Sequence, residues 1–166
     1  MPTHASESRP AAAELIARLK LEPHPEGGWY REVHRSGELL QTPRGPRAAL
    51  TSIYFLLERR QCSRWHVVTS DEVWHHAGGD PLELLVYRPA SGELRRQVIG
   101  SPGLGLDSIA VVAAGEWQAA RSQGDWSLMG CDVAPGFDFE DFSFVASLPD
   151  HRAAFSATLT NYSELL

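Results

Sequence analysis

The chain reads as an all-β sandwich or barrel with one short helix at its start. Short runs of apolar or alternating residues recur along most of the sequence, each bounded by Gly, Pro, Asp or Ser. Beyond the first twenty or so residues no stretch keeps a 3.6-residue period, so the crossover helices of a βαβ fold are missing. Gly numbers 14 and Pro 11 among 166 residues, which favours frequent turns over long helices.

The elements follow in order. Residues 1–10, with Pro2, Ser6, Ser8 and Pro10, read as a frayed terminus. AAAELIARLKL then sets Leu15, Ile16 and Leu19 on one stripe and predicts a helix over 11–20. In LEPHPEGGWYREVHRSG, two prolines with Gly27 and Gly28 predict a turn into a strand from Trp29 to His34. The polar stretch Ser36 to Arg47 reads as a loop. Strands are expected over 52–57, 63–68, 71–76, 82–87, 95–100, 108–113, 116–121, 126–133 and 141–145. SIYFLLE is apolar on both faces, so that strand is central or covered by a partner chain, and a homodimer is expected. In PGFDFEDF, Phe137 and Phe139 share a face and the phase then shifts, which predicts a bend of structural purpose. The single domain thus divides into a helix, a β-body over 28–146 and an extension over 147–166. LPDHRAAFSATLTNYSELL fits a short helix or a terminal strand, docked on the body or on a second subunit.

Charge and composition narrow the partners. Lys and Arg total 15 against 21 Asp and Glu, a net charge of -6 that repels polyanions and argues against nucleic acid. Cys62 and Cys131 have no zinc-ligand spacing, and no apolar run is long enough for a membrane span. A cytoplasmic protein with free thiols and no membrane partner is expected. The sequence has no G-x-S-x-G elbow, G-x-G-x-x-G loop or P-loop, which removes the commonest hydrolase and nucleotide-hydrolysis readings.

Polar chemistry concentrates in SRWHVVTSDEVWHHAGGDPL. Alternation puts His66 and Val68 on one face and, past Thr69 and Ser70, Glu72, Trp74 and His76 on one face. If the two runs form a hairpin, His66 and Glu72 come together, and a carboxylate beside an imidazole makes a general base. His75 is expected to face the other way and to pack.

The same segment resembles the first motif of the cupin superfamily, H-x-H-x(3,4)-E-x(6)-G, through His66, Glu72 and Gly79, with Val68 at the second histidine. AAGEWQ resembles the second motif, P-x-G-x-x-H, with Ala113 and Gln118 replacing the proline and histidine around Gly115. The strings EGGWYRE, TSIYFLL, SDEVWHHAGGDPLEL, VVAAGEWQAA and PGFDFEDF are similar to the small cupins of cupin family five, over roughly residues 13 to 146. That resemblance implies a double-stranded β-helix, or jelly-roll barrel, similar to the deoxysugar-nucleotide epimerases, and a dimer. It also implies that two of the four usual metal ligands are replaced.

A small polar ligand in the barrel is therefore expected. One reading is a metal-independent epimerase or isomerase of a carbohydrate or nucleotide sugar, with His66 as base and Glu72 orienting it. Gln118 and Arg31 would bind substrate oxygens, and Tyr54, Trp74, His76 and Trp117 would line the site. An amide is a weak metal ligand and a good hydrogen-bond partner, so no cofactor is expected. Two alternatives stay open: a non-catalytic ligand-binding cupin, and a metal enzyme holding Fe(II) or Mn(II) with His66, Glu72 and His76. Arg47 and Arg64 are the other candidates for an anion, with Arg31 preferred.

Overall fold

The computed structural model describes residues 9–147, 155 and 159–166. Helix α1 (Ala12–Leu19) falls where the apolar stripe predicts it. Glu14 accepts a hydrogen bond from the Ala11 N–H at 3.1 Å, and Lys20 ends the helix in a left-handed conformation with φ 54°. The frayed terminus expected over 1–10 lies mostly outside the described residues.

Among the described residues thirteen strands follow: β1 (Glu22–Pro23), β2 (Trp29–Arg35), β3 (Leu39–Thr42), β4 (Gly45–Ala48), β5 (Thr51–Glu58), β6 (Cys62–Val68), β7 (Asp71–Gly79), β8 (Leu82–Arg88), β9 (Glu93–Ile99), β10 (Ile109–Val112), β11 (Trp117–Ser122), β12 (Trp126–Ala134) and β13 (Phe142–Phe144). One sheet has six strands in the order β1-β2-β5-β12-β7-β10, and the other has five in the order β13-β6-β11-β8-β9. Every pairing between these strands is antiparallel, as the turn-rich sequence predicts. The stretch read as a loop instead contains the β3–β4 hairpin. It was illegible because Leu39 and Leu40 both stay exposed, so no buried alternation marks the strands.

Apolar side chains of both inner faces, among them Phe55, Leu57, Trp74, Leu84, Val86 and Met129, form the main core. Strand β5 lies between β2 and β12, which accounts for its apolar inner face. Its outer face is covered within the same chain: Leu56 packs with Leu15, Leu21, Trp126 and Leu128 under α1. That removes the premise on which a homodimer was expected from SIYFLLE. A second buried cluster lies outside the five-stranded sheet, where Phe155, Leu159 and Leu165 cover Trp65, Tyr87 and Trp117. The described parts of the C-terminal extension are thus helical turns docked on the body of their own chain. No helix among the described residues is long and apolar enough to cross a membrane.

The expected hairpin of β6 and β7 is absent. β6 pairs with β11 and β13, whereas β7 pairs with β12 and β10 in the other sheet. Thr69 and Ser70 therefore form a corner between sheets, and His66 and Glu72 extend from opposite walls.

Candidate functional site

Between the walls lies a cavity of about 400 Å³. Its floor consists of the buried residues Glu26, Phe55, His66, Glu72, Trp74 and Cys131, and exposed Glu22, Glu32, Arg35 and Phe139 stand at its rim. Alternation delivers Ile53 and Phe55 from β5, Glu72 and Trp74 from β7, and Cys131 and Val133 from β12. β6 needs an irregularity as well. Arg64 and Trp65 together stand opposite Ala119, between the register pairs Ser63–Ala120 and His66–Gln118. An unbroken strand would turn Ser63 and His66 to opposite faces; the bulge resets the phase and brings both to Glu26.

Glu26 was not singled out in the sequence, nor was His24. Both sit on the turn leading into β2, where Gly27 and Gly28 take φ values of 115° and 71°. The turn lies so close to β6 that a Cβ on Gly27 would stand 2.1 Å from the Cys62 carbonyl oxygen. Glu26 Oε1 accepts from Ser63 Oγ at 2.9 Å, and Oε2 lies 3.3 Å from His66 Nε2. Glu26 opens the string EGGWYRE and His66 lies far along the chain in β6, so only membership of that string hinted at a role for Glu26.

The surrounding backbone fixes both imidazole tautomers. His66 Nδ1 lies 2.7 Å from the Arg64 carbonyl oxygen, which only accepts, so Nδ1 carries the hydrogen and Nε2 offers a lone pair to Glu26. His24 Nδ1 accepts from the Glu26 N–H at 3.2 Å, so its hydrogen is on Nε2. Burial pushes Glu26 up to about 8 against the opposing effects of Ser63 and Arg64. Burial also lowers His66, although Glu72 and the Arg64 carbonyl act the other way. The Glu26–His66 contact is therefore a hydrogen bond between neutral groups, with the carboxylic acid donating, rather than an ion pair. His24 falls to about 4 through burial and then the neighbouring His66.

Glu72 rises to about 7, first through burial and then through Glu26. Its Oε2 accepts from Gln118 Nε2 at 2.5 Å, and Gln118 Oε1 accepts from Trp74 Nε1 at 3.0 Å. Burial raises the Cys131 thiol well above its ordinary range, so it is not a ready nucleophile.

The profile of the family described as Cupin superfamily (DUF985) matches residues 13–145. The chain belongs to this family. It is 33% identical to a hypothetical protein from Leishmania major whose solved structure superposes with a TM-score of 0.75, covering 89% of this chain and 98% of that one. It is 35% identical to a protein from Shewanella oneidensis, with a TM-score of 0.74, covering 87% of this chain and 94% of that one. Oxalate decarboxylase from Bacillus subtilis shares the fold at 14% identity and a TM-score of 0.58, over 87% of this chain and 36% of that longer one. No curated protein is detectably similar to the sequence.

Within this cupin, the site residues read from the sequence divide between cavity and scaffold. His66, Glu72 and Trp74 meet at the floor, as their motif positions imply. Gln118 is 1% exposed and lies behind Glu72, so it holds the carboxyl group rather than lining the cavity. Trp117 is its neighbour along β11 and necessarily faces the other way, against Phe155 at 5.3 Å. Tyr54 lies between the inward Ile53 and Phe55 and faces α1. Arg31 is the register partner of Tyr54 and shares its face; it borders the cavity, but its guanidinium lies 5.8 Å from the Tyr54 ring.

His76 is also outside the lining. Four residues beyond Glu72 amount to about 13 Å along a strand, and its Nε2 lies 3.3 Å from the Asp80 carbonyl at the far end of β7. His75 faces the opposite side, as expected, but does not pack: its side chain is well exposed, with Nε2 3.0 Å from Asp132. Arg47 is bound to Asp141 at 2.8 and 3.1 Å, and Arg64 donates to the Pro25 carbonyl at 2.6 Å.

These placements bear on a cupin metal. The set His66, Glu72 and His76 does not assemble, Val68 has no donor atom, and the Gln118 amide is engaged at both ends. Among the described residues no group of three or more His, Cys, Asp or Glu is placed to hold a metal ion. The donors present do not fit a resident metal at the family's usual position.

Proposed function

We propose that this cupin is a metal-independent isomerase or epimerase that moves a proton on a small carbohydrate-like carbonyl compound. The observation that carries the reading is the convergence of two buried carboxyl groups supported by opposite walls: Glu72 on β7, and Glu26 held by Ser63 and His66 of β6. Their raised acid constants, about 7 and about 8, leave one ionised fraction to act as base and one proton to give near neutral pH.

The contacts favour a different distribution of roles from the one the sequence suggested. His66 Nε2 faces Glu26, so Glu72 is the better-placed base. Its carboxylate takes the proton from the carbon next to the carbonyl, and the electron pair of the broken C–H bond moves onto the carbonyl oxygen. The His24 Nε2–H, which has no partner among the described residues, is the donor available to that oxygen. Glu26 then returns a proton to carbon from the other wall, with His66 orienting its carboxyl group. Return to the same carbon as the carbonyl re-forms inverts it; return to the former carbonyl carbon, with the adjacent hydroxyl proton passing to the enolate oxygen as the new carbonyl forms, isomerises the compound.

Incubating the protein in deuterated water with a panel of aldoses and ketoses tests this by NMR. Exchange of the proton adjacent to the carbonyl is expected, falling at least about 100-fold in Glu72→Gln, with folding verified by circular dichroism. Exchange undiminished in Glu72→Gln, or ligands that bind and come back without deuterium, rejects the reading.

A further inference from the structure

The rim of the cavity carries a charge pattern that selects among ligands. Glu22, Glu32 and Asp138 line it, and Arg31 and Arg35 are the only Lys or Arg among the lining residues. Arg35 is already engaged: Nε and Nη2 donate to both Glu32 oxygens at 3.0 and 2.7 Å, and Nη1 and Nη2 donate to the Phe137 carbonyl at 3.2 Å. Arg31 lies with Tyr54 on the other face of the sheet. Arg31 Nε is buried without a hydrogen-bond partner, but with its side chain on that outer face neither guanidinium is presented to a phosphate or carboxylate in the cavity.

The same rim suits the opposite charge. Tyr30, His24, Phe139 and Phe137 form a continuous aromatic row, with successive ring centroids 4.5, 6.2 and 5.0 Å apart. Aromatic faces with nearby carboxylates attract an ammonium group. An independent feature points to a ligand in this place: the His24 side chain is only 6% exposed and lines the cavity, yet its Nε2–H finds no acceptor among the described residues. The 400 Å³ volume lies near the lower end of the range of about 300–1,000 Å³ for small-molecule sites. That is room enough for a single sugar ring.

We infer that the ligand is an amine of monosaccharide size, its ammonium held over the aromatic rim beside Glu22 and Asp138, and one of its oxygens accepting from His24. The assignment deepens the proton-transfer reading of the same cavity and rests on it.

Isothermal titration of the full chain with glucosamine, glucose and glucose 6-phosphate at low ionic strength tests the inference. Glucosamine is expected to bind at least tenfold more tightly than glucose, with glucose 6-phosphate weakest. Asp138→Asn and Glu22→Gln should narrow the gap, and Glu32→Gln, which releases Arg35, should shift preference toward the phosphorylated sugar. Glucosamine binding no tighter than glucose, or not binding at all, overturns it. Deuterium exchange measured on the same protein separates the two ideas. Exchange without amine preference sinks the ligand class alone, and amine preference without exchange sinks the proton transfer alone.

Discussion

Gln118 donates to Glu72 across 2.5 Å inside the sandwich, so the residue at the family's final metal-ligand position serves a carboxyl group. Its oxygen meanwhile accepts from Trp74, which fixes the indole at the cavity floor. One amide thus sets both the electrostatics and the shape of the site.

Removing it should be costly. Gln118→Ala leaves Glu72 without its donor and Trp74 Nε1 without an acceptor, both in a dry environment. A loss of about 1–3 kcal/mol is expected, visible as a fall of several degrees in Tm. Glu72 should also become harder to ionise, because the bond from Gln118 favours its ionised form. An unchanged melting temperature would contradict the assignment of Gln118 as the support of Glu72.

The buried acids and imidazoles give stability a defined pH dependence. His24 falls from 6.5 to about 4 on folding, so between those values the unfolded chain binds more protons and stability rises with pH. Glu26 rises from 4.5 to about 8 and Glu72 from 4.5 to about 7, so over their windows the folded chain binds more protons and stability falls with pH. The two trends oppose each other below pH 6.5, and above it the carboxyl groups act without the histidine. The urea midpoint should therefore decline between about pH 6.5 and 8, and Glu26→Gln should flatten that decline. A midpoint constant over this interval would show that Glu26 ionises normally.

The turn that carries His24 and Glu26 should tolerate no side chain at its glycine. Gly27→Ala meets the Cys62 carbonyl and forces an alanine to φ 115°. Strain alone is worth about 1–3 kcal/mol, and the only relief is to move the turn away from β6. Lower stability with loss of ligand binding is expected from thermal denaturation and titration, whereas Gly92→Ala, which also has positive φ but no atom within 4 Å, should lose stability and keep binding.

Several parts of this architecture were legible in the residues. The strand pattern, the α1 stripe and the shared face of Glu72 and Trp74 all follow from local periodicity, which operates over a few residues. The burial of Tyr54 against α1 and of Trp117 under Phe155 did not follow, because alternation tells which residues share a face and not what covers it. The β6 bulge was likewise invisible: it depends on the partner strand, and it decides that Ser63 joins His66 at one carboxyl group.

Turn residues and side-chain period are local properties, so the residues alone specify an all-β body, an N-terminal helix and the groups at the motif positions. Only the tertiary structure decided that Thr69 and Ser70 turn a corner between sheets and that the EGG turn delivers Glu26 to His66. It also brought carboxylates and aromatic rings together at the cavity rim. Those outcomes depend on contacts between segments far apart along the chain, where close packing and the desolvation of buried charge choose which groups meet.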